Sequence, residues 1–110
     1  LIKTEGSQKN VLVLCANGAT SSMLANAIKK GAKEMDVEID STAMAYGQHK
    51  DIINEFDLII LAPQMASMLG ELQESAKNYD TKTVSTTGAE YVALAKAPDQ
   101  AVNFVFESLA

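Results

Sequence analysis

The chain has 110 residues with a single cysteine and a net charge of −5, enough for one domain to bury a core without cross-links and too few thiols for an internal disulfide. Its apolar runs fall far short of the roughly 20 residues that span a bilayer. With 5% aromatic residues and no Lys/Arg cluster, it offers neither a phosphate-backbone footprint nor a base-stacking platform, which argues against a nucleic-acid partner. No signal-peptide pattern is present, and a lone activated thiol suits a reducing compartment, so the expected location is the cytosol.

The polar, aperiodic stretch at the start, Lys3-Thr4-Glu5-Gly6-Ser7-Gln8-Lys9, reads as a linker. Residues 1–8 are expected to be a linker or remnant of a longer chain, and 9–110 the domain. Val11-Leu12-Val13-Leu14 is a continuous apolar run, the mark of a strand buried on both faces. Cys15 follows at once, then the small and polar residues Ala16 to Ser22. Met23, Leu24, Ala27, Ile28, Ala32 and Met35 recur at helical spacing and predict a helix from about Thr20 to Met35. Asp36 breaks it, and the alternation in 37–41 predicts an edge strand.

Gly47 opens a weaker helical stretch with Ile52, Ile53 and Phe56. Leu58-Ile59-Ile60-Leu61 is a second continuous apolar run, ended by Pro63. Met65, Met68, Leu69, Leu72, Ala76 and Tyr79 predict an amphipathic helix, and 83–86 a short β-branched strand. The last segment carries Tyr91, Val92 and Leu94, is interrupted at Pro98, and resumes as a helix with Val102, Val105, Phe106 and Leu109 on one face. The order β-α-β-α-β-α-β-α predicts a three-layer α/β/α sandwich on a four-stranded parallel sheet. The two continuous apolar runs belong at its centre, giving strand order 2-1-3-4 with the switch point between the first and third strands. Ligands of such sheets bind at the carboxyl ends of strands beside the switch, which brings the cysteine loop and Ala62-Pro63-Gln64 together.

A thiol at a strand end facing a helix amino terminus is placed for anion chemistry. N–H groups of the turn and first helical turn converge there, the dipole adds about half a positive charge, and the same field draws a thiol below its free pKa of about 8.5. Gly18 permits a turn that side chains resist, and Thr20, Ser21 and Ser22 add hydroxyl donors. This set fits a phosphoryl group. Neither the nucleotide P-loop pattern nor the dinucleotide glycine fingerprint occurs, so ATP and NAD are poor candidates. Tyrosine phosphatases place an arginine six residues after their cysteine; here Ser21 stands there. Without that bidentate grip, efficient hydrolysis is not expected, and passing the phosphoryl group on fits better.

The segment Val11 to Ser22, with its Cys-Ala-x-Gly-x-x-Ser-Ser pattern, together with Ala62-Pro63-Gln64, resembles the enzyme IIB component of the bacterial phosphoenolpyruvate-dependent sugar phosphotransferase system. Among its classes the chain is most similar to the lactose/cellobiose class. The resemblance runs from about Lys9 onward, and it implies a Rossmann-like, flavodoxin-like sandwich akin to the low-molecular-weight tyrosine phosphatases. It also implies a relay: a phosphohistidine on a IIA protein donates to Cys15, and the phosphocysteine passes the group to a sugar, of lactose or cellobiose type, held by the membrane component IIC. The phosphoryl-binding residues it implies are Ala16, Asn17, Gly18, Ala19, Thr20, Ser21 and Ser22. Thr86-Thr87-Gly88-x-x-Tyr91 is similar to the lactose branch, in which IIB is commonly fused behind IIC; such a fusion places the domain at the inner face of the membrane. No metal or other cofactor is required.

Plainer readings stand beside these. Cys15 alone reads equally as a buried structural thiol, but the small polar residues after it favour function. Gln64 is either a support of the phosphoryl site or a turn residue after Pro63. His49, the single histidine, reads as a solvated side chain, with no second histidine or cysteine to complete a metal site. Thr20 or Ser21 is a candidate N-cap. A loop that must meet two proteins is expected to be exposed, with Met44, Tyr46, Met65 and Met68 as an apolar rim. A cysteine-dependent hydrolase and a non-enzymatic phospho-ligand sensor remain the alternative functions.

Overall fold

A computed structural model of the chain describes residues 9–15, 19–48, 52–79 and 81–109, with the backbone alone for 19–21. Four parallel strands, β1 (Lys9–Cys15), β2 (Ile39–Ala45), β3 (Leu58–Leu61) and β4 (Lys82–Ser85), lie in the order β2-β1-β3-β4. The helices are α1 (Ala19–Met35), α2 (Leu69–Ala76), α3 (Gly88–Lys96) and α4 (Pro98–Leu109), joined by short 3-10 turns at Ile53–Glu55 and Pro63–Met68. The two continuous apolar runs are the central strands, as their composition requires.

Because side chains alternate along a strand, β1 feeds two separate cores. Val11, Val13 and Cys15 pack on one face with Leu58, Ile60 and Ala62 beneath Leu24 and Ile28 of α1, Tyr91 and Leu94 of α3, and Val102 and Val105 of α4. Leu12 and Leu14 pack on the other with Ile53, Ile59, Leu61, Leu72 and Ala76. Helices α1 and α4 touch closely at Gly31. A Cβ there would run into the Pro98 carbonyl and lie 2.8 Å from Val102 Cγ2.

Four local expectations change. The second strand begins at Ile39 rather than Val37, because the Val37 N–H still donates to Ala32 C=O (3.0 Å) in the helix exit, where Asp36 has φ 58°. From there it pairs with β1 residue for residue, Lys9 with Ile39 through Cys15 with Ala45. Residues 49–51 of the predicted helical stretch lie outside the described residues; its described end is the 3-10 turn Ile53–Glu55, fastened by Thr81 Oγ1 donating to the carbonyls of Ile53 (3.2 Å) and Phe56 (2.8 Å). Pro63 opens a 3-10 turn before α2, and Tyr79 falls beyond that helix, exposed. The last segment makes two helices: Thr87 and Glu90 form a capping box at the start of α3, and Pro98 takes the first position of α4. Val92 and Phe106 face outward.

Candidate functional site

The carboxyl ends of β2, β1 and β3 are locked level with one another. Tyr46 N–H donates to the Cys15 carbonyl (2.7 Å) on one side, and Ala62 N–H to the Leu14 carbonyl (2.8 Å) on the other. The Ala62-Pro63-Gln64 segment therefore does arrive beside the end of β1. Thr86 closes the row, its N–H and Oγ1 both donating to the Leu61 carbonyl, at 3.2 and 3.0 Å.

Cys15 is 1% exposed. The odd-numbered alternation of β1 turns it toward α1 and α3, so the residue itself is buried rather than displayed. Four residues later α1 begins, at Ala19. Its first N–H groups have no acceptor within the helix. Glu71, Glu90 and Asp99 sit in the first turns of α2, α3 and α4, where a carboxylate offsets the dipole; α1 has no acidic residue in its first turn.

Of the residues singled out from the sequence, Ala16, Asn17, Gly18 and His49 lie outside the described residues. The backbones of Ala19, Thr20 and Ser21 form the first turn of α1, which places Thr20 and Ser21 inside the helix rather than at its cap. Ser22 is half-buried, and Gln64 is exposed on the 3-10 turn. Met44, Tyr46, Met65 and Met68 come together, but as half-buried side chains packed against the second core. Tyr46 Oη donates to Glu71 Oε1 (2.7 Å), tying the end of β2 to α2. Burial first, and then this bond and the Glu71 charge, push the phenol up to about 12. Among the described residues no cluster of three or more His, Cys, Asp or Glu is placed to hold a metal ion.

Sequence reading missed Tyr91 as part of this site. It is 4% exposed, in the same cluster as Cys15, and its phenol is pushed up to about 12 by burial; a hydrogen bond from the Leu24 backbone works against this, and the charge of Cys15 adds to it. The available signal was a tyrosine in the first turns of a helix leaving the sheet's carboxyl edge, since a buried phenol needs a partner for its hydroxyl.

A parallel sheet of order β2-β1-β3-β4, with a thiol ending its first strand beside the switch point between β1 and β3, defines a small doubly wound α/β domain. The chain belongs to the lactose/cellobiose-specific IIB subunit family of the phosphotransferase system, which it matches over residues 10–103. It is 45% identical over 103 residues to the lactose-specific EIICB component of Lacticaseibacillus casei, covering 94% of this chain and 18% of that protein. The Staphylococcus aureus lactose-specific EIICB component is 46% identical over 98 residues, 89% of this chain and 17% of its own length. The chain thus spans about a fifth of the length of these relatives. Among solved structures, the lactose-specific IIB domain of Streptococcus pneumoniae superposes with a TM-score of 0.92 at 44% identity, covering 94% of this chain and 99% of that one. A cellobiose-specific IIB protein from Borrelia burgdorferi, at 22% identity and TM-score 0.72, shares the fold. No described helix is long and apolar enough to cross a membrane.

Proposed function

We propose that this domain is the IIB carrier of a lactose-type sugar phosphotransferase system and that Cys15 holds the phosphoryl group in transit. The observation that carries the reading is the thiol at the end of β1, four residues before a helix whose first turn lacks any carboxylate. In the first step the Cys15 thiolate attacks the phosphorus of a phosphohistidine on a IIA protein. The S–P bond forms as the P–N bond breaks, and the electron pair returns to the imidazole nitrogen, which takes up a proton. In the second, a hydroxyl oxygen of a sugar held by IIC attacks the same phosphorus. The S–P bond breaks, the thiolate leaves with its electron pair, and the hydroxyl proton passes to solvent or a base.

Ala16 to Ser22 are the proposed phosphoryl-binding residues, their N–H groups offsetting charge on the transferred oxygens in both steps. Gln64, two residues past Ala62, is a candidate support for that shell. Residues 1–8 are proposed as the connection to a preceding IIC part, which would set the domain at the inner face of the membrane. Burial of Cys15 restricts water at the S–P bond, and Ser21 stands where a phosphatase has arginine; both favour a carrier over a hydrolase.

Reconstitution tests this. Folded chain incubated with labelled phosphoenolpyruvate, the general phosphotransferase proteins and a lactose-type IIA takes up label, and Cys15→Ala takes up none. Absence of label on the folded parent chain, or equal label on Cys15→Ala, overturns the assignment.

A further inference from the structure

Just past β3 the chain keeps apolar side chains at its surface. The 3-10 turn Pro63–Met68 buries none of its six residues, and its Met65 and Met68 lie half-buried with Met44 and Leu69 against the second core. The strip belongs to the carboxyl edge of the sheet: Met44 pairs in register with Leu14, and the Ala62 N–H that precedes Pro63 donates to the Leu14 carbonyl. It therefore borders the strand end that carries Cys15, on the opposite side of the sheet from α1. Large apolar side chains left half in water at one edge mark a contact surface, and unbranched thioethers adapt to what they meet.

The two sides of the sheet differ in charge. At the margin of the strip Tyr46 Oη donates to Glu71 Oε1 at 2.7 Å and so fixes an exposed carboxylate there. Glu55 and Glu74 are exposed on the same side, against Lys77, whose ammonium pairs with Glu74. On the other side α1 exposes Lys29, Lys30 and Lys33 against Glu34. An apolar strip edged by a fixed carboxylate suits a partner that presents apolar side chains among lysines and arginines. The cytoplasmic loops of membrane proteins carry an excess of those two residues, so they are drawn to this side and repelled by α1. The relatives are EIICB components of which this chain spans about a fifth. A partner tethered to the same chain acts at a roughly millimolar effective concentration, which lets a small surface suffice.

We infer that Met44, Met65, Met68 and Leu69, with Glu71 at their margin, form the surface by which the domain docks on basic cytoplasmic loops of the sugar-holding membrane component; this rests on the carrier reading, in which IIC is the recipient. Docking there sets the carboxyl edge, and Cys15 with it, against the membrane component and leaves the lysines of α1 on the far side of the sheet.

The test uses inside-out membrane vesicles carrying the IIC part of the Lacticaseibacillus casei lactose-specific EIICB component without its own IIB domain. The whole chain, phosphorylated through IIA, is added at rising concentration and phosphorylated lactose is measured. Glu71→Lys is expected to raise the half-saturating concentration about fivefold or more with the maximal rate retained, and Met68→Gln about threefold. Tyr46→Phe, which loses the hydrogen bond and keeps the charge, should shift it less than Glu71→Lys, and Lys30→Glu should not raise it. Uptake from phosphorylated IIA should fall by less than about twofold in Glu71→Lys, which places the loss in the second step. Parent values in Glu71→Lys overturn the inference, as does an equal loss in the IIA step or an equal rise in Lys30→Glu. So does a parent chain that takes label and passes none to lactose, or one that sediments equally with protein-free vesicles of anionic phospholipid. A parent that takes no label removes the carrier reading instead; sedimentation of the unphosphorylated chain with the IIC vesicles, weakened in Glu71→Lys, then still decides the docking.

Discussion

On the face that holds Cys15, the odd-numbered residues of β1 are sealed beneath three helices, one of them 17 residues long, whereas on the opposite face Leu12 and Leu14 lie beneath a helix of 8 residues and a single 3-10 turn. The closed face carries Cys15, the proposed phosphoryl acceptor, and the buried Tyr91 phenol. The lighter face ends in Met44, Met65 and Met68, unbranched side chains that adapt to what they touch. A carrier has to hold one atom in a fixed place while meeting different surfaces in turn, and this division assigns the first task to one side of the sheet.

The largest effect that would break the comparison is in the cores. Ile28 and Leu72 are both fully buried, one on each face. Truncation to alanine costs about 2–5 kcal/mol depending on how far the site collapses. Ile28→Ala is expected near the top of that range and Leu72→Ala near the bottom, measured by urea unfolding; equal costs, or the reverse order, would mean that the two faces are equally tight. Next is the contact between α1 and α4. Gly31→Ala improves helix propensity but drives a methyl into the Pro98 carbonyl, and a net loss of about 1–3 kcal/mol is expected. A gain in stability would show that the closed face has slack.

The smallest effect concerns the two tyrosines, one on each face. Both phenols are raised from the ordinary 10 to about 12, chiefly by burial. Their contribution is present in full below pH 10, where both folded and unfolded chains keep the proton. It is lost as pH rises from 10 to 12, where the unfolded chain releases protons that the folded one retains. Tyr91→Phe and Tyr46→Phe should each flatten this alkaline fall by a similar amount, because both phenols are raised alike; urea midpoints at about pH 9 and about pH 11 check it.

Much of this was legible in the sequence. Continuous apolar runs placed β1 and β3 at the centre and so gave the strand order, and the spacing from Met23 to Met35 gave α1. The cysteine followed by small polar residues pointed to the family. Less legible was β2, whose second half, Thr42-Ala43-Met44-Ala45, has no alternation to mark it; its form comes from pairing with β1. Nor does the helical spacing of Ile52, Ile53 and Phe56 reveal the 3-10 turn Ile53–Glu55, which Thr81 fastens from a distant part of the chain. The burial of Cys15 and its proximity to Tyr91 depend on how α3 returns across α1, a tertiary fact that no local pattern encodes.

The most direct test of the account is the phosphorus resonance of the chain after phosphorylation by the reconstituted relay. The account predicts one 31P signal with the shift of a phosphorus–sulfur ester, absent from Cys15→Ser. A signal from a phosphorus–nitrogen or phosphorus–oxygen bond in the parent chain would contradict it.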